Sequence, residues 1–445
     1  MVSTEVRNSL LIFILFIQTV LSQTNTFVDV KVSLISKKQP TKKEQITITS
    51  NNLPHSLINY DPDVYDSIKI EGQFIPKIYE GAFKGLNVTQ LMIIKTDLRE
   101  LEVGAFKDIK KLDSLVVAEN SLKFVKKGIF TNLSITKLYL DDNKIKSVEG
   151  GSFEGMKKIT SIVLSVNFIK VIEKGSFKDL EELTSIRIDF NRIERIEEGA
   201  FENLPKLSKL DLDNNNIKQI EASSFVNLPA LTVLLLQVNE LERVSLKNLN
   251  SLIVLWLFDN KLKSLDIGML NGLKSLSKVN VTENRITYLE GTAVRSFEMH
   301  YLDLSYNNIT SIGDGCFNGS NIQDLLLNNN QILNISPSAF KSSKIKKLLL
   351  HNNRISKINN DTFANLEMDE LTLNNNLISD IDEGAFQNAA IRSINLDGNK
   401  LTSIKHGVFD TVRLRYISIL KNDAINDRAF NNVSNLWDNS STKLS

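Results

Sequence analysis

The feature that most constrains this chain is its self-similarity. Ile135, Leu138, Leu140, Asn143, Ile145, Val148 and Phe153 form a series of residue types that returns as Leu207, Leu210, Leu212, Asn215, Ile217, Ile220 and Phe225. It returns again as Ile345, Leu348, Leu350, Asn353, Ile355, Ile358 and Phe363. Units of this kind start at Tyr65, Val88, Leu112, Ile135, Ile159, Leu183, Leu207, Leu231, Leu252, Leu276, Met299, Ile322, Ile345, Met368, Ile391 and Leu414. These sixteen starts are spaced by 23 or 24 residues, with one step of 21. A seventeenth, degenerate unit is read at Ile46, Ile48, Asn51 and Leu53. Such a period means a repeat array. No single unit buries its own apolar face, and stacked neighbours build one continuous core.

Within L-x-L the apolar residues alternate, which suits a short strand with one buried face. Each repeat then adds one strand to a parallel sheet, and sixteen strands at about 4.8 Å each give a sheet of roughly 75 Å. The position of Asn143 is Asn in fourteen of the sixteen repeats, Gln73 and Thr96 being the exceptions. A buried amide there satisfies backbone groups that a turn leaves unpaired and links one repeat to the next. The phenylalanines from Phe83 to Phe430 are expected to stack as a spine; Leu270 and Val294 replace them in two repeats, and Leu249 in the short one.

The pattern matches L-x-x-L-x-L-x-x-N-x-L with a trailing F-x-x-L. Over about residues 43–433 the chain resembles the extracellular leucine-rich-repeat proteins of the typical, 24-residue subclass, and is similar to Toll-type receptor ectodomains. The resemblance implies an α/β repeat solenoid: a leucine-rich-repeat horseshoe with a parallel sheet on its concave face. It also implies protein binding on that face. The chain departs from the family in lacking cysteine-rich caps, since Cys316 is its one cysteine. Open solenoid ends expose core and strand edges. Residues 26–60 are expected to cover the first end and the Asn/Ser-rich tail the last, the alternative being a partner or a second copy in a homodimer. The 21-residue repeat, 231–251, lacks the usual convex segment, so a local bend is expected there.

Arg7, an apolar run over residues 10–20 broken by Gln18, and the small residues Val20 and Ser22 read as an export signal cleaved before Gln23. The expected organisation is a signal peptide at 1–22, a capping segment at 23–64, the repeat array at 65–433 and a polar tail at 434–445. The leader is too short to span a bilayer comfortably, no later stretch reaches spanning length, and the tail lacks an apolar end. A secreted, extracellular product is therefore expected. A single cysteine allows no internal disulfide, and Cys316, at the Ala position of G-A-F, is read as a small buried residue, the alternative being an intermolecular disulfide. The charge balance, 53 basic against 52 acidic residues, excludes a dedicated nucleic-acid binder.

Residues between the strand leucines point out of the concave face. Most are polar, but Val163, Val166, Phe190, Leu235, Val238, Trp256 and Phe258 form an apolar group, with Asp211 and Asp213 among them. An exposed patch of this kind marks an interaction surface, and Trp256 and Phe258 are its expected anchors. His300, Tyr301 and Tyr306 are read as a solvated face. The strip Asp141, Asp142, Asp189, Asp211 and Asp213 is read as solubilising charge, with a basic ligand or a cation as the alternative. Sequons stand at Asn87, Asn132, Asn280, Asn308, Asn318, Asn334, Asn360, Asn432 and Asn439. Asn280 falls mid-strand, where a glycan would obstruct the inner surface.

Catalysis is not indicated. His55, His300, His351 and His406 are scattered over different repeats, and there is no metal-ligand spacing, phosphate loop or nucleophile elbow. The sequence thus points to no enzyme, no cofactor and no metal. It points to a secreted leucine-rich-repeat binding protein that recognises an extracellular protein ligand, as a soluble receptor, immune recognition factor or decoy. The alternative is a non-catalytic structural or carrier subunit of a secreted complex.

Overall fold

The computed structural model describes residues 30–36, 43–48 and 65–422, apart from 73, 85 and 291–297. The leader, Val294, Phe430, Asn432, Asn439 and the tail lie outside the described residues, as do Asn51, Leu53 and His55. Contacts divide the chain into two compact units, Met1–Leu231 and Thr232–Ser445.

In the first unit β1 (Val30–Ser36) lies antiparallel between β2 (Lys43–Ile48) and β3 (Tyr65–Glu71). All later strands of this sheet run parallel: Gln90–Ile94, Ser114–Val116, Lys137–Tyr139, Ser161–Val163, Ser185–Arg187 and Lys209–Asp211. The register advances one repeat per strand, so Leu138, Ile162, Ile186 and Leu210 lie side by side. β1 runs against these repeat strands, whereas β2 runs in their direction but pairs, among the described residues, with β1 and not with a repeat strand. Among the described residues the main sheet of the second unit has nine parallel strands, from Val233–Leu235, Val254–Trp256 and Lys278–Asn280 to Arg413–Ser418. In both units the leucines of L-x-L point inward and are fully buried.

The 24-residue coils from Ile135 to Leu231 have three-residue strands and the 23-residue coils from Met299 to Leu414 have six-residue strands, while the 23-residue coils starting at Leu112 and Leu276 also have three-residue strands. The extra residue of the 24-residue coils lies between the phenylalanine and the next strand: five residues separate Phe153 from Ile159, four separate Phe340 from Ile345. At strand entry the amides of Thr160 and Ser161 both bond the Thr136 carbonyl, at 2.8 and 3.1 Å, and those of His300 and Tyr301 both bond the Ser277 carbonyl, at 2.9 and 3.0 Å.

The α/β horseshoe expectation does not hold. The described residues contain one α-helix, α1 (Ile267–Gly272), and one 3-10 turn, Ala222–Ser224. The fold is a parallel β-solenoid. Where helices were expected, the chain returns through two-residue strands. Phe124–Val125, Ser147–Val148, Val171–Ile172 and Arg195–Ile196 pair as a second parallel sheet. Phe177–Lys178, Phe201–Glu202 and Phe225–Val226 pair as a third. The reason is path length. Nine residues separate Asn143 from Phe153 and five separate Phe153 from Ile159, which leaves no room for a helix of several turns. Tight turns fill the corners instead, as the bonds Ser152 N–Glu149 O and Glu154 N–Gly151 O, both 3.1 Å, show.

The phenylalanines do form a spine. In the first unit, rings from Phe83 to Phe225 follow one another at centroid separations of 5.3–6.3 Å. In the second, Phe317 to Phe409 do so at 5.4–6.1 Å. Leu249 and Leu270 are buried in the coils that lack the ring. The asparagines form the expected ladder. Asn215 Nδ2 donates to the carbonyls of Ile188, Leu212 and Asp213 at 3.0–3.1 Å, and its Oδ1 accepts the Ile193 amide at 3.0 Å. Thr96, one of the exceptions, is fully buried and joins the ladder through Asn120 Oδ1. Cys316 is buried, and burial pushes its thiol pKa up. No helix of the described residues is long and apolar enough to cross a membrane.

Candidate binding surface

Three positions of each coil face outward from the main sheet. One lies within L-x-L: Tyr139, Val163, Arg187 and Asp211. A second follows two residues later: Asp141, Ser165, Asp189 and Asp213. The third immediately precedes the ladder asparagine: Asp142, Val166, Phe190 and Asn214.

The third position has left-handed backbone in coil after coil, with φ 51° at Asp142, 52° at Asn214, 53° at Asp259, 55° at Asn329 and 56° at Asn352. The chain turns there to bring the next side chain, the ladder Asn, inside. Asn and Asp tolerate this geometry; β-branched and aromatic residues do not. Val166 (φ 56°), Phe190 (φ 51°), Val238 (φ 53°) and Tyr306 (φ 55°) nevertheless adopt it, each at a cost of roughly 1–2 kcal/mol. Val166 is 49% exposed and Phe190 54%, so burial in the fold does not offset that cost.

In the first unit, then, Val166 and Phe190 stand on the surface, but Val163 does not: it is 7% exposed, in register between Tyr139 and Arg187. In the second unit Leu235 is likewise buried, in register with Trp256. Trp256 is exposed, and Val238 and Phe258 are half-buried. The Trp256 and Phe258 rings meet at a tilt, with centroids 6.2 Å apart. The apolar surface is thus smaller than the residue list predicts: Val163 and Leu235 are covered, while Trp256, at the same position of its coil, stays exposed.

The acidic residues separate into two groups. Carboxylate oxygens of Asp189, Asp211 and Asp213 lie within 4.8 Å of one another; Asp141 and Asp142 stand outside this cluster. Asp189 and Asp211 are buried and Asp213 half-buried. The Ser165 hydroxyl donates to Asp189 Oδ1. Arg187 Nη2 is 3.4 Å from Asp189 Oδ2, and Lys209 Nζ is 3.6 Å from Asp211 Oδ2. Asn214 Nδ2 donates to Asp213 Oδ2 at 2.8 Å. Asp211 Oδ1 has no hydrogen-bond partner among the described residues. Burial, reinforced by Asp213 and then Asp189, pushes the Asp211 pKa up to about 7. Burial also raises that of Asp141.

Of the second aromatic group, Tyr301 is half-buried and donates to Asp303 Oδ2 at 2.5 Å. His300 Nδ1 and Ser277 Oγ share a hydrogen bond of 2.7 Å. Tyr306 projects, 58% exposed. Among the sequons Asn132, Asn308, Asn318, Asn334 and Asn360 are exposed, and Asn87 and Asn280 are half-buried. Asn280 lies on the strand Lys278–Asn280, its Oδ1 accepting the Thr282 amide at 2.9 Å.

Sequence reading missed the strained backbone at Val166, Phe190 and Val238. The signal was present: Asp, Asn or Glu precedes most ladder asparagines, and these residues break the rule. It also missed a groove of about 670 Å³ across the strand starts of the second unit, where Lys344, Lys346, Arg392 and Arg415 face Glu367 and Asp369.

Residues 134–193 and 181–241 match a family described as leucine rich repeat, and residues 250–365 and 333–438 match the BspA type leucine rich repeat region. Together these matches span more than half of the chain. The chain belongs to the leucine-rich-repeat family. That repeat is a non-catalytic, protein-binding scaffold. The 24-residue, Toll-type subclass is not established: the second half matches the BspA type, and its coils from Met299 onward have 23 residues. No curated protein matches the chain. Among solved structures it is similar to a chain of the Toll–Spatzle complex of Drosophila, with a TM-score of 0.57 and 22% identity, over 77% of this chain and 52% of that one. The glycosylated form of that complex gives 0.55 and 21%, over 78% and 52%. The leucine-rich repeat domain of APL1B gives 0.52 and 23%, over 66% and 84%. These likenesses show a shared fold. This leucine-rich-repeat chain spans about half the length of the chain it matches in the Toll–Spatzle complex.

Proposed function

We propose that this chain is a secreted recognition protein that holds an extracellular protein ligand against the outward face of its main sheet. One observation carries the reading. Val166 and Phe190, on successive coils, keep bulky apolar side chains on left-handed backbone while remaining about half exposed. Strain of this kind is unrewarded in the isolated fold and is offset when a partner covers the side chains. In the second unit Trp256 and Phe258 supply aromatic anchors of the type that dominates binding energies, beside Val238 and the buried Leu235. In the first, Asp211 and Asp213 add local negative charge.

The leader-like N-terminus and the exposed sequons support export. In the structures it resembles, a Toll–Spatzle complex is formed, which supports a protein ligand here. Soluble receptor, immune recognition factor and decoy are the finer forms of the proposal. A glycan on Asn280 would confine the ligand to coils before Leu276.

The test is crosslinking of the native secreted protein followed by partner identification, repeated with two double variants. Trp256→Ala/Phe258→Ala should lose the partner with thermal stability nearly unchanged. Val166→Asn/Phe190→Asn should lose it while melting higher than wild type. Retention of the partner by both variants removes this face from the argument.

A further inference from the structure

We propose that Asp189, Asp211 and Asp213 together hold a calcium ion on the first unit. The three carboxylates come from two successive coils, and their oxygens already lie within 4.8 Å of one another. Three oxygens spaced evenly around one calcium at about 2.3–2.6 Å lie about 4.0–4.5 Å apart, so small side-chain adjustments bring all three onto a single ion. Magnesium, at about 2.0–2.1 Å, requires the oxygens to draw closer and resists losing its waters. A donor set made only of carboxylate oxygens does not favour zinc or copper.

The independent pointer is Asp211. It is only 7% exposed, and its Oδ1 has no hydrogen-bond donor among the described residues. A buried carboxylate oxygen without a donor is costly unless a cation meets it. Lys209 and Arg187 answer part of the charge at 3.6 and 3.4 Å, but they are two cations against three carboxylates. The Ser165 hydroxyl fixes the orientation of Asp189, and Asn214 does the same for Asp213, as outer partners orient metal ligands. Three protein carboxylates with water completing the shell place the affinity at the weak end, a Kd on the order of 0.1–1 mM, the range of extracellular calcium modules.

The probe is calcium alone, added to full-length protein stripped with EDTA. Equilibrium dialysis should give one ion per chain in that range, with magnesium at least tenfold weaker. Asp213→Asn should weaken calcium binding by tenfold or more. Asp211→Asn should abolish the calcium-dependent rise in melting temperature, yet in EDTA melt at or above wild type, because an unanswered charge has gone. Saturable binding that is lost in both variants establishes the site. The proposal is overturned by an absence of saturable binding, by uptake of several ions unaffected by Asp213→Asn, or by an Asp211→Asn variant that melts lower than wild type in EDTA.

Discussion

Replacing Asn215 by alanine removes four hydrogen bonds from the interior of the first unit. Two of the groups left behind are the Ile193 amide and the Ile188 carbonyl, one coil back, each with Asn215 as its partner. Asn215 is only 7% exposed, so water reaches these groups poorly. At roughly 1–3 kcal/mol for a stranded buried polar group, with partial relaxation, the loss is about 2–4 kcal/mol. Each 1.4 kcal/mol is a factor of ten, so hydrogen-exchange protection of the Ile193 amide should fall by roughly 30- to 1000-fold. Amides bonded to other rungs, such as Ile332 to Asn353, should be affected far less, because a repeat contacts only its neighbours. Lys218→Ala, an exposed change in the same coil, serves as the control and should shift stability by no more than about 0.5 kcal/mol. If protection at Ile193 in Asn215→Ala stays within threefold of wild type, the ladder is not what holds successive coils together.

Phe177→Ala removes a fully buried ring lying 5.5 and 5.3 Å from Phe153 and Phe201; it should cost about 3–5 kcal/mol in urea denaturation, whereas Phe124→Ala, 48% exposed, should cost less than about 1 kcal/mol. In chelator, the raised Asp211 pKa of about 7 makes its contribution to stability complete at acid pH and lost as pH rises through 7. Melts between pH 4 and 8 should therefore show a decline, worth at most about 4 kcal/mol, that Asp211→Asn flattens. Cys316, buried and with its thiol pKa raised, should resist alkylation in native buffer and react at once in urea; fast native labelling would contradict its placement.

The repeat, the ladder and the spine were legible because each depends on one residue type at one period. Asn215 and Phe177 could be placed without coordinates: a position occupied by the same polar or aromatic residue in coil after coil has one environment. The return path was not legible in the same way. Residues 144–158 carry turn signals and inward Ile145 and Val148, which fit short strands, yet the family resemblance supplied helices in their place. The binding face was half legible. Alternation correctly put Trp256 outside, but it also put Val163 and Leu235 there, and only the register shows that neighbouring strands cover them. The backbone strain at Phe190 and the orphaned oxygen of Asp211 depend on φ angles and donor positions that residue types alone do not specify.

The claim that the outward sheet face is the recognition surface is tested most directly by site-specific photocrosslinking in the native secretion. A photoreactive residue is placed at Phe190, at Trp256 and, for reference, at the exposed Lys341 beside the phenylalanine spine. Covalent adducts with one protein partner are expected from the first two positions and not from the third. Adducts from Lys341 alone would contradict the claim, as would a partner retained with no adduct at either sheet position.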